Sequence, residues 1–89
     1  MINITPLAKE KINHTLAQAG MEEYYLRLGL AGASCSNKFI VGLDKPGSLD
    51  ETWIIEGIRV IIDKKHLMYL AGRQLDYRTE DGESYFAII

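Results

Sequence analysis

Cysteine is almost absent from this chain: Cys35 is the only one. A single thiol closes no intrachain disulfide, which excludes a disulfide-stapled secreted scaffold. Long apolar runs are missing too, and none approaches the roughly 20 residues that a membrane span needs. The opening "MINITPLAKEK" has no basic segment leading into an apolar one, so it does not read as a signal peptide. Neither sign of charge dominates, with 10 Lys and Arg against 12 Asp and Glu and a formal net charge of -2. Scattered as they are, these charges leave no basic footprint for nucleic acid and no polybasic patch for a membrane. The two histidines, His14 and His66, stand far apart in no ligand spacing such as H-x-x-x-H, and read as surface or packing residues. The expectation is a cytoplasmic protein without nucleic-acid or membrane partners.

What is present suits one small globular unit. Eighty-nine residues leave no room for a second core, so residues 1–89 are expected to form a single domain. An apolar content of 47% is enough to build that core. Thr5-Pro6 has the chemistry of a helix start, a hydroxyl cap followed by a residue whose missing N–H costs nothing in the first turn. Leu7, Ala8, Ile12, Leu16 and Ala19 then recur at helical spacing, which predicts a helix over 6–19 with Gly20 as its stop and Leu7, Ile12 and Leu16 as its packing stripe.

Beyond Gly20 the period changes to two. Tyr24, Leu26, Leu28 and Leu30 alternate with Tyr25, Arg27 and Gly29, and "KFIVGLD" repeats the pattern with Phe39, Val41 and Leu43. After the polar loop 45–51, "TWIIEGIRVIID" predicts a hairpin about Glu56-Gly57, and "QLDYRT" with "SYFAII" a second about Asp81-Gly82. "DKKHLMYLAG" reads as a short helix capped by Asp63, with Leu67, Met68 and Leu70 apolar and Gly72 beyond its end. Leu26, Leu28, Val41, Val60 and Ile62 are the expected sheet core. Ile40, Ile54 and Ile61 fall on the opposite face, so the sheet is expected to fold over on itself or to be covered, for instance by a second subunit. The order of elements predicts an α+β fold, with an N-terminal helix and one short helix packed on a folded, mostly antiparallel sheet.

Catalytic chemistry is not indicated. "GASCS" fails the nucleophile-elbow pattern at Ser36, and the paired carboxylates (Glu22 and Glu23; Glu80, Asp81 and Glu83) fall in predicted turns. Cys35 is the residue that stands out. Within "AGASCSNKF" it has Ala33, Ser34, Ser36 and Asn37 as flanks rather than the large apolar neighbours of a core cysteine. A thiol in such a connection, once deprotonated, ligates a soft metal, and nearby Arg27 and Lys38 are candidates for lowering its pKa.

The series "ITPLAKEKI", "YLRLGL", "SCS" and "IRVIIDKKHLMYLAGRQLDY", in this order over roughly residues 2 to 86, resembles the HesB-like family, the A-type carriers of iron–sulfur cluster biogenesis. The last piece holds a Leu-x-Gly-x-x-Leu-Asp-Tyr run at Leu70, Gly72, Leu75, Asp76 and Tyr77. The resemblance implies iron–sulfur cluster assembly, iron or an iron–sulfur cluster as the bound group, Cys35 as its ligand, and a homodimer, assembly proteins or apo-protein acceptors as partners. Two departures accompany it. Ser34 and Asn37 stand where the family has glycines, and the Cys-Gly-Cys tail of family members would begin just where "SYFAII" ends. Three readings stay open: iron or cluster bound weakly through Cys35, a metal-free protein-interaction module of the same fold, and a thiol-redox protein using Cys35.

Overall fold

The computed structural model describes residues 1–19, 23–31 and 38–89; the expected stop at Gly20 lies outside them. Strand β1 (Asn3–Ile4) leads into helix α1 (Pro6–Ala19), with the bounds expected from the sequence. Thr5 closes the helix start as its residue type promised: Oγ1 accepts from the Ala8 N–H at 3.2 Å and its hydroxyl donates to Asp76 Oδ1 at 2.9 Å. The buried face is Ala8 and Ile12, with Leu16 partly covered. Leu7 is 46% exposed, so the stripe runs through Ala8 instead. The expectation chose the bulkier neighbour; the helix turned its small residue inward, where the core comes closest.

The strands form two sheets. In the larger, β2 (Tyr25–Ala31), β3 (Lys38–Asp44), β4 (Asp50–Ile55) and β5 (Ile58–Asp63) take the order β3-β2-β5-β4. The pairs β2–β3 and β4–β5 are antiparallel, and β2–β5 is parallel. In the smaller, β1 lies parallel to β6 (Gln74–Glu80), which pairs antiparallel with β7 (Glu83–Ile88). Both expected hairpin turns carry two positive φ values, Glu56 and Gly57 at 52° and 77°, Asp81 and Gly82 at 51° and 81°. That is the primed turn whose twist matches the strands, and glycine adopts its second position without strain. Between β5 and β6 a single 3-10 turn (Lys64–His66) runs into helix α2 (Leu67–Leu70), and Asp63 caps it by accepting from the Lys65 N–H. Leu70 is fully buried, whereas Met68 is 88% exposed, contrary to its expected apolar role.

Leu26, Leu28, Val60 and Ile62 are buried as expected, with Val41 only partly covered on β3. They join Ile2, Ile4, Ala8, Ile12, Ile58, Leu70, Leu75 and Ile88 in one cluster shared by the two sheets and the helices. Of the three apolar residues expected on the far face, Ile54 is largely exposed and Ile40 is marginally so, but Ile61 is fully buried.

Arg27 accounts for Ile61. The two are register partners on β2 and β5, and Thr52 on β4 lies opposite Ile61 on its other side. The Arg27 guanidinium binds Asp50 on β4 with both terminal nitrogens, at 2.8 and 2.7 Å, so its stem must cross β5 above Ile61. Its Nε donates to Asp44 on β3 at 2.7 Å. One side chain thereby links the two edge strands across the sheet. Asp50 also accepts from the Gly47 N–H and Asp44 from the Lys45 N–H, which ties down the loop between β3 and β4.

Arg27→Met should cost roughly 2 kcal/mol in chemical denaturation, because Asp50, with its side chain only 5% exposed, loses its charged partner. Arg27→Ala should cost more, since it also uncovers Ile61; equal midpoints for the two variants would refute the covering role. The paired guanidinium holds the Asp50 carboxyl below its ordinary value. The folded state therefore binds fewer protons than the unfolded one near that value. The stabilisation is complete above the ordinary carboxylate range, about 3.9, and drains as pH falls from there towards the depressed folded value. An acid titration of unfolding free energy should show this loss below about pH 4, and Asp50→Asn should flatten it.

Candidate functional site

The β2–β3 hairpin is in register from Tyr25↔Asp44 to Ala31↔Lys38. The chain thus leaves the sheet at Ala31 and re-enters at Lys38, and the connection 32–37 carries Cys35 between paired strand ends. Cys35 itself lies outside the described residues. What the structure shows is the stem on which it is mounted.

Both sides of that stem are gripped by the segment that follows β5. On β2, the Leu30 N–H donates to His66 Nδ1 at 3.3 Å. On β3, the Arg73 guanidinium lies over the ring of Phe39, 4.8 Å from its centroid, and Phe39 is the register partner of Leu30. Arg73 is itself held, its Nε donating to the Tyr69 carbonyl at 2.6 Å. Gly29 makes room for the imidazole: a Cβ there would stand 3.0 Å from His66 Nδ1.

Sequence reasoning placed His66 among packing or surface residues and did not connect it with the Cys35 connection. The available signal was the Asp63 cap, which turns the chain sharply after β5, together with the glycine at position 29. His14, by contrast, sits on an exposed position of α1. Of the two cations suggested as neighbours of the thiol, Arg27 has its charge engaged by Asp50 and Asp44, which hold it more firmly protonated.

Asp76 and Asp44 are engaged in the same way. Hydrogen bonds from Thr5, the Tyr77 N–H and Arg78 hold Asp76 below its ordinary value, and the Lys45 N–H with Arg27 does so for Asp44. Among the described residues no group of three or more His, Cys, Asp and Glu side chains is placed to hold a metal ion. No described helix is long and apolar enough to cross a membrane. A shallow apolar groove of about 120 Å³ lies between α1 and the hairpin, lined by Ile12, Thr15, Leu26, Val41, Gly42, Leu43 and Phe86. Leu26 and Leu43 place it towards the end of the hairpin away from the 32–37 connection.

The fold is shared with a solved structure of known type. A crystal structure of IscA with a 2Fe-2S cluster superposes with a TM-score of 0.75 at 19% identity, over 100% of this chain and 81% of that one, and has the same fold. The iron-binding protein IscA of Klebsiella pneumoniae is 35% identical over 81 residues, 89% of this chain and 75% of that protein. Iron-sulfur assembly protein 1 of Schizosaccharomyces pombe is 31% identical over 88 residues. That match takes in 97% of this chain but 46% of the yeast protein, so the chain spans about half the length of that relative. The sequence model described as iron-sulphur cluster biosynthesis matches residues 1–88. With its A-type layout, its strand-borne Cys35 connection and this match along nearly its whole length, the chain belongs to the iron–sulphur cluster biosynthesis family.

Proposed function

We propose that this protein takes up iron or a small iron–sulfur cluster as cargo through Cys35, and that residues 1–89 act as one HesB-like domain in doing so. The observation that carries the reading is the place of the chain's only thiol, on a connection whose two strand ends are paired and gripped from outside the hairpin. A rigid stem bearing a thiol suits a ligand that must be offered and withdrawn. The role proposed is that of a carrier, in keeping with the iron-sulphur cluster biosynthesis model that the chain matches; Asp44, Asp50 and Asp76 serve the fold through their hydrogen bonds.

Ligand arithmetic defines the stoichiometry. A 2Fe–2S cluster takes four ligands, commonly thiolates. One chain of this sequence brings one, and a symmetric pair brings two. The remaining positions fall to external thiols or to cysteines of an assembly partner or acceptor. A homodimer facing Cys35 to Cys35 and a reducing, cytoplasmic setting both fit a protein with one free thiol.

Anaerobic reconstitution with ferrous iron and sulfide, followed by visible absorption and metal analysis, tests the proposal. Binding should stay below one cluster per chain and rise with added thiol. Cys35→Ser should remove the cluster absorption while shifting the unfolding free energy by less than about 1 kcal/mol, as expected for a thiol flanked in sequence by small and polar residues. Stoichiometric cluster retained by Cys35→Ser would overturn the assignment. No binding by the wild-type chain would select the metal-free interaction module instead.

A further inference from the structure

We propose that His66 is a positioning residue for the end of β2 from which the chain enters the Cys35 connection, its ring nitrogen replacing the strand that β2 lacks at its exit. The parallel pairing of β2 with β5 runs from Leu26↔Val60 to Leu28↔Ile62 and stops there. In a parallel ladder the next acceptor, the one for the Leu30 N–H, would be the Asp63 carbonyl, and the pair that this bond would make lies beyond the last one formed. At Asp63 the chain turns away instead, its side chain accepting from the Lys65 N–H. The Leu30 N–H therefore finds no backbone acceptor on that side, and an unmet donor there would weaken the stem. His66 Nδ1 supplies the acceptor, which leaves the ring proton on Nε2.

Two further features belong to the same device. Only a residue without Cβ at position 29 lets the imidazole approach this closely. On the neighbouring strand Arg73 covers Phe39, directly opposite Leu30. The segment 63–73 thus holds the same strand pair from two sides, two positions before the connection that carries the thiol. The consequence for iron rests on the reading of Cys35 given above; the positioning itself does not, and it is measured without metal.

The test uses the full chain, free of metal, with two readouts: hydrogen exchange of the Leu30 amide and the rate at which an aromatic disulfide reagent labels Cys35. His66→Ala should speed both about threefold to tenfold, the effect of losing one hydrogen bond on local opening. Exchange of the Leu28 amide, deeper in the same strand, should stay unchanged. His66→Asn should return both rates to within about twofold of wild type, because its Oδ1 reaches much the same place as Nδ1 and accepts the same bond. Gly29→Ala leaves the histidine intact but pushes it away, and should behave as His66→Ala; it carries the test if the latter does not fold. Unchanged Leu30 exchange in both His66→Ala and Gly29→Ala would overturn the proposal. So would failure of Asn to rescue, an equal rise at Leu28, or a Cys35 rate that ignores the change at Leu30. A cluster-binding result of either sign leaves these outcomes as they stand.

Discussion

Arg27 spans the larger sheet and ties its two edge strands together. A β-sheet covered on one face by helices leaves the other face to water, and a fully apolar residue there needs a lid. Ile61 has one in the stem of Arg27, whose head is fixed at both edges of the sheet by Asp44 and Asp50. An arginine is suited to the task because its long stem is apolar while its planar head makes several directed bonds at once. The cost of partly withdrawing a charge is offset by a bidentate carboxylate, itself satisfied by the Gly47 N–H.

The same strand serves two purposes along its length. At its middle β2 carries the charged span across the sheet; at its end it delivers the chain into the connection with Cys35. Central in the order β3-β2-β5-β4, it pairs with β3 from Tyr25 to Ala31 and with β5 at Leu26, Arg27 and Leu28. Beyond Leu28 the pairing with β5 ends, and there the imidazole of His66 stands in. The short turn and helix after β5 explain how this arises: Asp63 caps the turn, the chain doubles back, and its residues return to the strand end they have just left. The exposed Met68 and the buried Leu70 on one short helix follow from the same geometry, since a single turn can face the core with only part of its circumference.

Much of the fold was legible in local chemistry. Thr5-Pro6 marked the start of α1, Glu56-Gly57 and Asp81-Gly82 marked the hairpins, and Asp63 marked the turn before α2; each is a signal read within a few residues. The choice between Leu7 and Ala8 was not, because hydrophobic spacing constrains a helical face only to within a residue and the depth of the core decides the rest. The candidate site divides in the same way. Cys35 drew notice from its small, polar flanks alone, whereas His66 and Arg73 gave no local hint of their connection with it.

By itself the sequence determined which segments become helix and strand, where they turn, which alternate residues face inward, and the family to which the series of motifs belongs. Those properties follow from backbone preference and the periods of 3.6 and 2, which act over short range. Only the tertiary structure decided that β2 runs parallel to β5, that Arg27 reaches carboxylates 17 and 23 residues away, and that His66 meets a strand end 36 residues before it. Such contacts are set by where strands begin and end relative to one another. One more paired position between β2 and β5 would give the Leu30 N–H a backbone acceptor in place of the histidine, and nothing in the local sequence of either segment encodes where that pairing stops.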